Sequence, residues 1–343
     1  MNNSTRVVIW FSCAILATYV LYEQVFDRFS APLALSLERH QELVKGESTF
    51  FNPWQYRVLA IGVVEGMIQG TESLGIAPHV SNPYLDEYGI DLQQHFPLLL
   101  VRWIQHFLIF LVALMLYQKM GISHPWLSFI GVMLLAHSMA RSNFGSDLSF
   151  NTYFDLLFYL LGAWCILSEK YVGFMVVVFL AALNRESSGF LPLMLAIMAI
   201  QGKPLNIIQP KKVKVAALSM GIFVGVFIGI RLWLGYQAPN PVYDNESFMD
   251  YLLWNLTNPI TYPQLLTTFG VMPLIALVGY RAWPSFLTRW FWLVIPAWVV
   301  IHFGFSIARE TRLFLVPMGL IFIPGVLFLV QLEVRQKRIS SGS

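Results

Sequence analysis

Charged residues and cysteines are both scarce in this sequence. Asp, Glu, Lys and Arg make up only 12% of its 343 residues. An ordinary soluble domain carries about twice that share of charge, so the composition argues against a soluble enzyme. The two cysteines, Cys13 and Cys165, both fall in apolar stretches. They are interpreted as small core residues, and no disulfide framework is implied.

Several sequence signatures of known chemistry are missing as well. The sequence contains no phosphate-binding loop, no module typical of nucleic-acid binding and no zinc-ligand spacing. Gly145-Ser146 and His302 could be read as parts of a serine hydrolase. The complete nucleophile-elbow pattern is absent, however, and a distant serine and histidine define no geometry. No resident metal and no nucleic-acid partner are therefore assigned.

Long apolar stretches recur from one end of the chain to the other, and 57% of the residues are hydrophobic. Most of these stretches are close to the length that crosses a bilayer as a helix. The sequence predicts an all-α polytopic membrane protein with about ten transmembrane helices in a single membrane domain, residues 1–343. The predicted spans are 7–25, 96–117, 126–140, 150–168, 171–183, 189–201, 213–235, 265–280, 291–308 and 313–331.

The distribution of basic residues predicts the topology. Short cytoplasmic loops are enriched in lysine and arginine, and an N-terminus inside places most of them there. These residues are Lys119, Lys170, Lys203, Lys211, Lys212, Lys214, Arg281, Arg289, Arg335, Lys337 and Arg338. Both termini are then cytoplasmic.

Two loops are predicted on the outer side. The long loop 27–95 carries nine acidic and four basic residues, and the second outer loop, 236–263, is also acidic. Within the first loop, Pro53, Trp54 and Tyr56 precede an apolar stretch that contains Leu59, Val63 and Met67 at helical spacing. Proline suits a helix start, and Trp and Tyr suit the headgroup layer. An interfacial helix is therefore predicted here.

Arginine is concentrated on the predicted outer side, whereas seven of the eight lysines lie inside. A guanidinium pairs bidentately with phosphate or carboxylate and tolerates partial burial better than an ammonium. The outer arginines as a set therefore indicate an anionic ligand. Individually, each could instead snorkel at a helix end or pair with a neighbouring acid. The six residues are Arg102, Arg141, Arg185, Arg231, Arg309 and Arg312.

Acidic residues accompany these arginines. Arg185-Glu186 interrupts an apolar run, and Arg309-Glu310 repeats the pair at a later corner. Asp147 and Asp155 lie near the start of another span. The two aspartates could accept hydrogen bonds from arginine, cap helix ends or coordinate a divalent cation. No cofactor is assigned with certainty, and a divalent cation is a possible one.

The arrangement resembles the polytopic GT-C-type glycosyltransferases. The matching residues are Glu23 and Asp27 at the outer end of the first span, the segment 54–57, and Asn184-Arg185-Glu186 at a later outer corner. The resemblance implies a polyprenyl-phosphate sugar as donor and an acidic residue just after the first span as a catalytic group. It also implies a bacterial inner membrane as the location, with an internal eukaryotic membrane as the alternative. No Asp-Asp or Asp-x-Asp pair follows that span, so the resemblance does not specify a metal.

The resemblance also implies roles for individual residues. Asp27 is the first candidate for the general base that deprotonates the acceptor, with Glu23 and Glu65 as alternatives. Arginines bind the donor phosphate, with Arg185, Arg309 and Arg312 ranked ahead of Arg102, Arg141 and Arg231. The residues expected to orient them are Glu186, Glu310, Asp147, Asp155 and Arg57.

Two other functions use the same charges. A transporter or flippase would bind an anionic lipid or a lipid-linked sugar at the arginines without breaking a bond. A structural membrane subunit would pair its charges and leave no cavity. The transferase hypothesis instead predicts an outer-side cavity in which Asp27 or Glu65 faces Arg185 and the corner 309–312. Membrane lipids contact the protein in all three cases.

Overall fold

The computed structural model describes residues 3–27, 31–45, 54–76, 91–142, 148–201, 207–235 and 247–341. Helices dominate these ranges, as the apolar composition predicts. The only strands in the described ranges form one short antiparallel ladder, β1 (Ile200–Gln201) with β2 (Ile207–Ile208). The protein is therefore a helical protein with several apolar helices, in agreement with the predicted integral membrane class.

The first helices are α1 (Asn3–Tyr22), α2 (Ala31–Lys45), α3 (Val58–Ser73), α4 (Leu92–Lys119), α5 (Pro125–Arg141), α6 (Phe150–Leu167), α7 (Tyr171–Ala182) and α8 (Phe190–Ala199). The later helices are α9 (Pro210–Leu234), α10 (Phe248–Thr257), α11 (Thr261–Phe269), α12 (Met272–Val278), α13 (Ser285–Gly304), α14 (Leu315–Pro317) and α15 (Ile323–Ser341). Short π-helical segments follow α1 and α14, at Glu23–Asp27 and Met318–Phe322.

Six helical segments are long and apolar enough to cross a membrane: Ser4–Val25, Leu92–Lys119, Phe150–Leu167, Pro210–Leu234, Ser285–Gly304 and Thr311–Lys337. A seventh span results if α11 and α12, which meet at a bend of 63°, are counted together. The three other predicted spans form the shorter helices α5, α7 and α8, of 17, 12 and 10 residues. By length and composition, the structure thus contains six or seven candidate spans.

The helix breaks have local causes in the sequence. Gly270 separates α11 from α12 with φ of 55°, a left-handed conformation that glycine adopts without a steric penalty. The break between α7 and α8 coincides with the polar stretch 184–188, whose side chains bond to other helices. These breaks turn the chain at positions where an uninterrupted apolar helix would have continued.

Contacts between helix ends sort the bundle into two ends. At the first, which we call the arginine end, the Asn184 side chain of the α7–α8 turn donates to the Asn151 carbonyl at the start of α6, at 2.8 Å. Thr268 of α11 donates to the carbonyl of Arg141, the last residue of α5. At the opposite end, which we call the lysine end because α4 ends there at Lys119, the backbone amide of Ser123 in the α4–α5 loop donates to the Gln331 side chain of α15 at 3.1 Å. Helix α5 therefore runs from the lysine end to the arginine end.

Helix α9 extends from the lysine end to the arginine end, so its length gives the distance between them. Lys212 near its start lies 3.6 Å from Glu169, and Arg231 near its end lies 3.5 Å from Glu186. The helix between these two residues rises about 28 Å, at about 1.5 Å per residue. This is close to the roughly 30 Å thickness of a bilayer hydrocarbon core. Glu186 and Glu169 thus lie about one hydrocarbon thickness apart.

The main core fills the bundle with large side chains, among which Trp290, Trp298 and Phe110 are almost completely buried. A smaller core packs α2 and α3 against α4 and includes Leu33, Val64 and Leu98. It covers α3, the helix predicted from the apolar stretch after Tyr56. The two helices of the long first loop are therefore anchored to the bundle at the arginine end.

Helix α3 buries a slightly different face from the one predicted. Its buried residues are Ala60, Val64 and Thr71, whereas the predicted face of Leu59, Val63 and Met67 is only partly buried. The reason is that α3 packs on α4 and α6 instead of standing alone at a surface. Helix α3 also begins at Val58, after a 3-10 turn at Trp54–Tyr56, and not directly at Pro53.

Candidate functional site

The candidate site is built around the turn that joins α7 to α8. Helix α7 stops at Ala182, and Arg185 adopts an extended conformation with φ of −160° before a 3-10 turn at Glu186–Gly189. The backbone amide of Leu59 in α3 donates to the carbonyl of Leu183 at 3.1 Å. Because backbone and side-chain bonds hold this turn to α3 and α6, its charged side chains have fixed positions.

Arg185 pairs with a deeply buried carboxylate. Its Nη1 atom lies 3.6 Å from Oδ2 of Asp155, a residue of α6 that is 1% exposed. The Ser187 hydroxyl donates to the same oxygen at 2.8 Å. The Tyr159 hydroxyl in turn donates to the carbonyl of Ser187. Asp155, predicted to orient arginines, therefore contacts Arg185 directly.

Glu186 points the other way and bridges two arginines. Its Oε2 atom lies 3.4 Å from Nη2 of Arg57, and its Oε1 atom lies 3.5 Å from Nη2 of Arg231. The Arg231 guanidinium also lies over the rings of Tyr56, at 4.4 Å, and Phe227, at 3.5 Å. Guanidinium stacking of this kind adds cation–π attraction and restricts the side chain.

Arg312 approaches the same region from the segment before α14. Its Nη1 donates to the Thr152 hydroxyl at 2.8 Å, and its Nη2 pairs with Glu310 at 2.6 Å. Arg312 and Arg57 are both electrostatic neighbours of Arg185. The arginine cluster is defined here as these four arginines and their three acidic partners: Arg57, Arg185, Arg231, Arg312, Asp155, Glu186 and Glu310.

Electrostatics favour an anion at this cluster. Four guanidiniums and three carboxylates belong to the cluster as it is defined here. Burial, followed by the neighbouring Arg57 guanidinium, lowers the pKa of Arg185 to about 10. Arg185 therefore remains a cation at neutral pH. A bound phosphate would relieve the mutual repulsion of the guanidiniums and accept their hydrogen bonds.

The other predicted arginines lie in separate surroundings. Arg102 is fully buried in α4, with its guanidinium 4.9 Å from the ring centre of Phe150 and 4.1 Å from that of Tyr153. Arg141 lies 4.0 Å from Glu23, and Arg309 lies over the ring of Trp254. Three of the six predicted phosphate-binding arginines thus share the cluster, and Arg57 completes it.

Two of the predicted carboxylate bases, Glu23 and Glu65, have partners outside the cluster. Glu23 pairs with Arg141, and Glu65 lies 2.9 Å from His40. Asp27 closes the π-helical segment after α1, but its side chain is outside the described residues, as is all of Asp147. Among the described residues, no group of three or more His, Cys, Asp or Glu side chains is arranged to hold a metal ion.

A small open groove adjoins the cluster at Arg57. Helices α2 and α3 and the start of α6 form its walls, and its polar lining is Ser36, Arg39, His40, Arg57, Ser149 and Asn151. Arg57 belongs to both groove and cluster, whereas the expected facing residues Arg185 and 309–312 are not among the lining residues. The sequence did not point to His40, because nothing in the local pattern indicates that it meets Glu65.

Comparison of the chain with family models, curated proteins and solved structures finds no match.

Proposed function

We propose that this protein is a membrane glycosyltransferase that transfers a sugar from a lipid-linked phosphate donor to an acceptor at the extracytoplasmic face. The observation that carries the proposal is the arginine cluster, in which four guanidiniums from four separate segments meet beside an open groove. A polyprenyl phosphate leaves with negative charge on its phosphate oxygens. Positioned guanidiniums stabilise such a developing charge.

The location of the cluster supports a lipid-linked substrate. Glu186 lies about one hydrocarbon thickness from the lysine end, a separation that supports a position of the cluster near headgroup depth. Lysine enrichment at the opposite end favours that end as the cytoplasmic one, with both termini there. In this proposal α5, α7, α8 and the α11–α12 pair complete about ten spans. Helix α3 lies at the outer interface of a bacterial inner membrane.

In the proposed reaction, the arginine cluster binds the donor and the groove binds the acceptor. Arg185 and Arg312 bind the donor phosphate, and Arg57 links that site to the groove in which the acceptor binds. The acceptor hydroxyl loses a proton to a base and attacks the anomeric carbon as the bond from that carbon to the phosphate oxygen breaks. Polyprenyl phosphate leaves, and its charge stays paired with the guanidiniums.

The test is release of polyprenyl phosphate from purified protein supplied with a panel of polyprenyl-phosphate sugars. The substitution Arg185→Ala is expected to lower turnover by about 100-fold or more, as for loss of one charge-stabilising donor. Arg281→Ala, an exposed arginine at the lysine end, is the matched control and should retain wild-type turnover.

Two outcomes would contradict the proposal. Transbilayer movement of the lipid without bond cleavage would identify a flippase that binds the same headgroup. If the protein neither cleaves nor moves the lipid and does not bind polyprenyl phosphate, the paired charges have only a structural role.

A further inference from the structure

A histidine–carboxylate pair lies beside the groove, and its histidine, His40, is one of the lining residues. The Nε2 atom of His40 in α2 is 2.9 Å from Oε2 of Glu65 in α3. Gln69, one turn further along α3, donates to the other oxygen of Glu65 at 2.7 Å. The His40 side chain is 7% exposed, whereas that of Glu65 is 31% exposed. Glu65 thus holds the histidine ring from the more open side.

His40 stands between two depressions in the surface. On one side is the groove that it shares with Arg39, Arg57 and Asn151. On the other side is a second depression that contains Glu65 together with Lys45, Glu72 and Gln94. The first side leads to the arginine cluster, because Arg57 contacts Glu186 at 3.4 Å. A ligand in the groove therefore meets His40 and Arg57 in one site.

The hydrogen bond determines which tautomer a neutral His40 ring adopts. The His40 bond, followed by that from Gln69, lowers the pKa of Glu65, so this side chain stays a carboxylate at neutral pH. A carboxylate accepts the Nε2 proton of a neutral imidazole and thereby selects its tautomer. The Nδ1 lone pair is then the one that can take up a proton. A carboxylate behind an imidazole also stabilises the imidazolium that forms.

We propose that His40 is the general base that accepts the proton of the acceptor hydroxyl and that Glu65 is its positioning residue. This inference rests on the proposed function. The acceptor oxygen forms a bond to the anomeric carbon while the bond from that carbon to the phosphate oxygen breaks. The hydroxyl proton goes to His40 Nδ1, and the electron pair of the broken bond leaves on polyprenyl phosphate. His40 then returns the proton to water.

A purely structural role makes different predictions. A His–Glu pair that only ties α2 to α3 would contribute to stability and would not change proton transfer. The substitution His40→Gln separates the two roles. Its amide can still donate to Glu65, but it cannot accept a proton at neutral pH.

The decisive experiment measures turnover of a polyprenyl-phosphate sugar and, separately, binding of polyprenyl phosphate. His40→Gln is expected to lower kcat by about 100-fold or more, with unchanged binding of polyprenyl phosphate. Added imidazole should restore part of the turnover of His40→Gly, because it can replace the missing base. Glu65→Gln should lower kcat, and Glu65→Asp should recover part of the loss. His124→Ala, an exposed histidine at the lysine end, is the control.

Three results would overturn the inference. Wild-type turnover in His40→Gln, together with loss of turnover in Arg185→Ala, would reject His40 and leave the transferase intact. Loss of turnover in Asp27→Asn but not in His40→Gln would assign the base to Asp27. If the wild-type protein cleaves no polyprenyl-phosphate sugar, the proposed function and the role of His40 fail together.

Discussion

Arg231 and Glu186 join the end of the longest exposed helix to the turn at the centre of the site. The Nη2 atom of Arg231 lies 3.5 Å from Oε1 of Glu186, while the other oxygen of this carboxylate faces Arg57. One half-exposed carboxylate therefore fixes two guanidiniums from segments far apart in the sequence. Removing its charge should disturb their orientation more than the stability of the fold.

The first prediction concerns this shared carboxylate. Glu186→Gln is expected to lower turnover by about 100-fold, because a small displacement of positioning groups has effects of this size. Stability should fall by no more than about 1 kcal/mol, since Glu186 is partly exposed. Glu169→Gln removes the exposed partner of Lys212 at the lysine end and is the matched control. Equal turnover in the two variants would contradict a role for Glu186 in orienting the arginines.

The second prediction concerns the buried pair of Asp155 and Arg185. Asp155→Asn leaves the Arg185 guanidinium buried without its counter-ion and should destabilise the protein by about 3 to 5 kcal/mol. Asp155→Asn with Arg185→Gln should cost less than the sum of the single changes. Thermal unfolding in detergent provides the measurement. Asp250→Asn, which weakens an exposed helix cap, should cost only about 1 kcal/mol. Additive effects in the double variant would show that the two side chains are not coupled.

The third prediction concerns two glycines in different surroundings. A Cβ atom at Gly304 would overlap the Phe248 ring, so Gly304→Ala should destabilise by about 1 to 3 kcal/mol. Gly225 in α9 has open space around it, and Gly225→Ala should be neutral or stabilising by up to about 1 kcal/mol. Introducing Phe248→Ala should relieve the cost of Gly304→Ala. Equal losses for both glycines would indicate a different packing around Phe248.

The fourth prediction tests the orientation in the membrane. In a protein whose buried Cys13 and Cys165 are replaced by alanine, Ser73→Cys should react with an impermeant maleimide in intact bacterial cells. Lys119→Cys should react only after the cells are permeabilised. Both side chains are exposed on the protein, so burial does not explain a difference. The reverse pattern would place the arginine cluster on the cytoplasmic side.

The sequence predicted helix positions better than the partners of charged residues. Apolar run length is a local property, and the helices follow it closely, including the break at Arg185-Glu186. The pairing of Arg57 with Glu186 joins residues 129 positions apart, and that of Arg312 with Thr152 joins residues 160 positions apart. Neither pairing follows from local spacing. The sequence could therefore indicate a set of outer arginines but not separate Arg312 from Arg309.

The role of His40 could not be predicted from the sequence either. It depends on the contact between α2 and α3, and the small core around Leu33 and Val64 packs these two helices together. From the sequence, Glu65 itself is an alternative candidate base, after Asp27. The structure places a histidine directly on that carboxylate, and this contact changes the chemistry that Glu65 can take part in.

The long separation of the cluster residues has a consequence for how the protein is made. When the helices up to α8 have entered the membrane, Asp155 and Arg185 can already pair, but Arg231 and Arg312 have not yet been synthesised. Glu186 then lacks one of its two guanidiniums until α9 is inserted, and Thr152 lacks its arginine until the last span follows. The arginine cluster is thus completed in the final stage of membrane insertion. If the proposed function holds, a ribosome-bound chain that ends before residue 311 should form the polar turn but bind no phosphate.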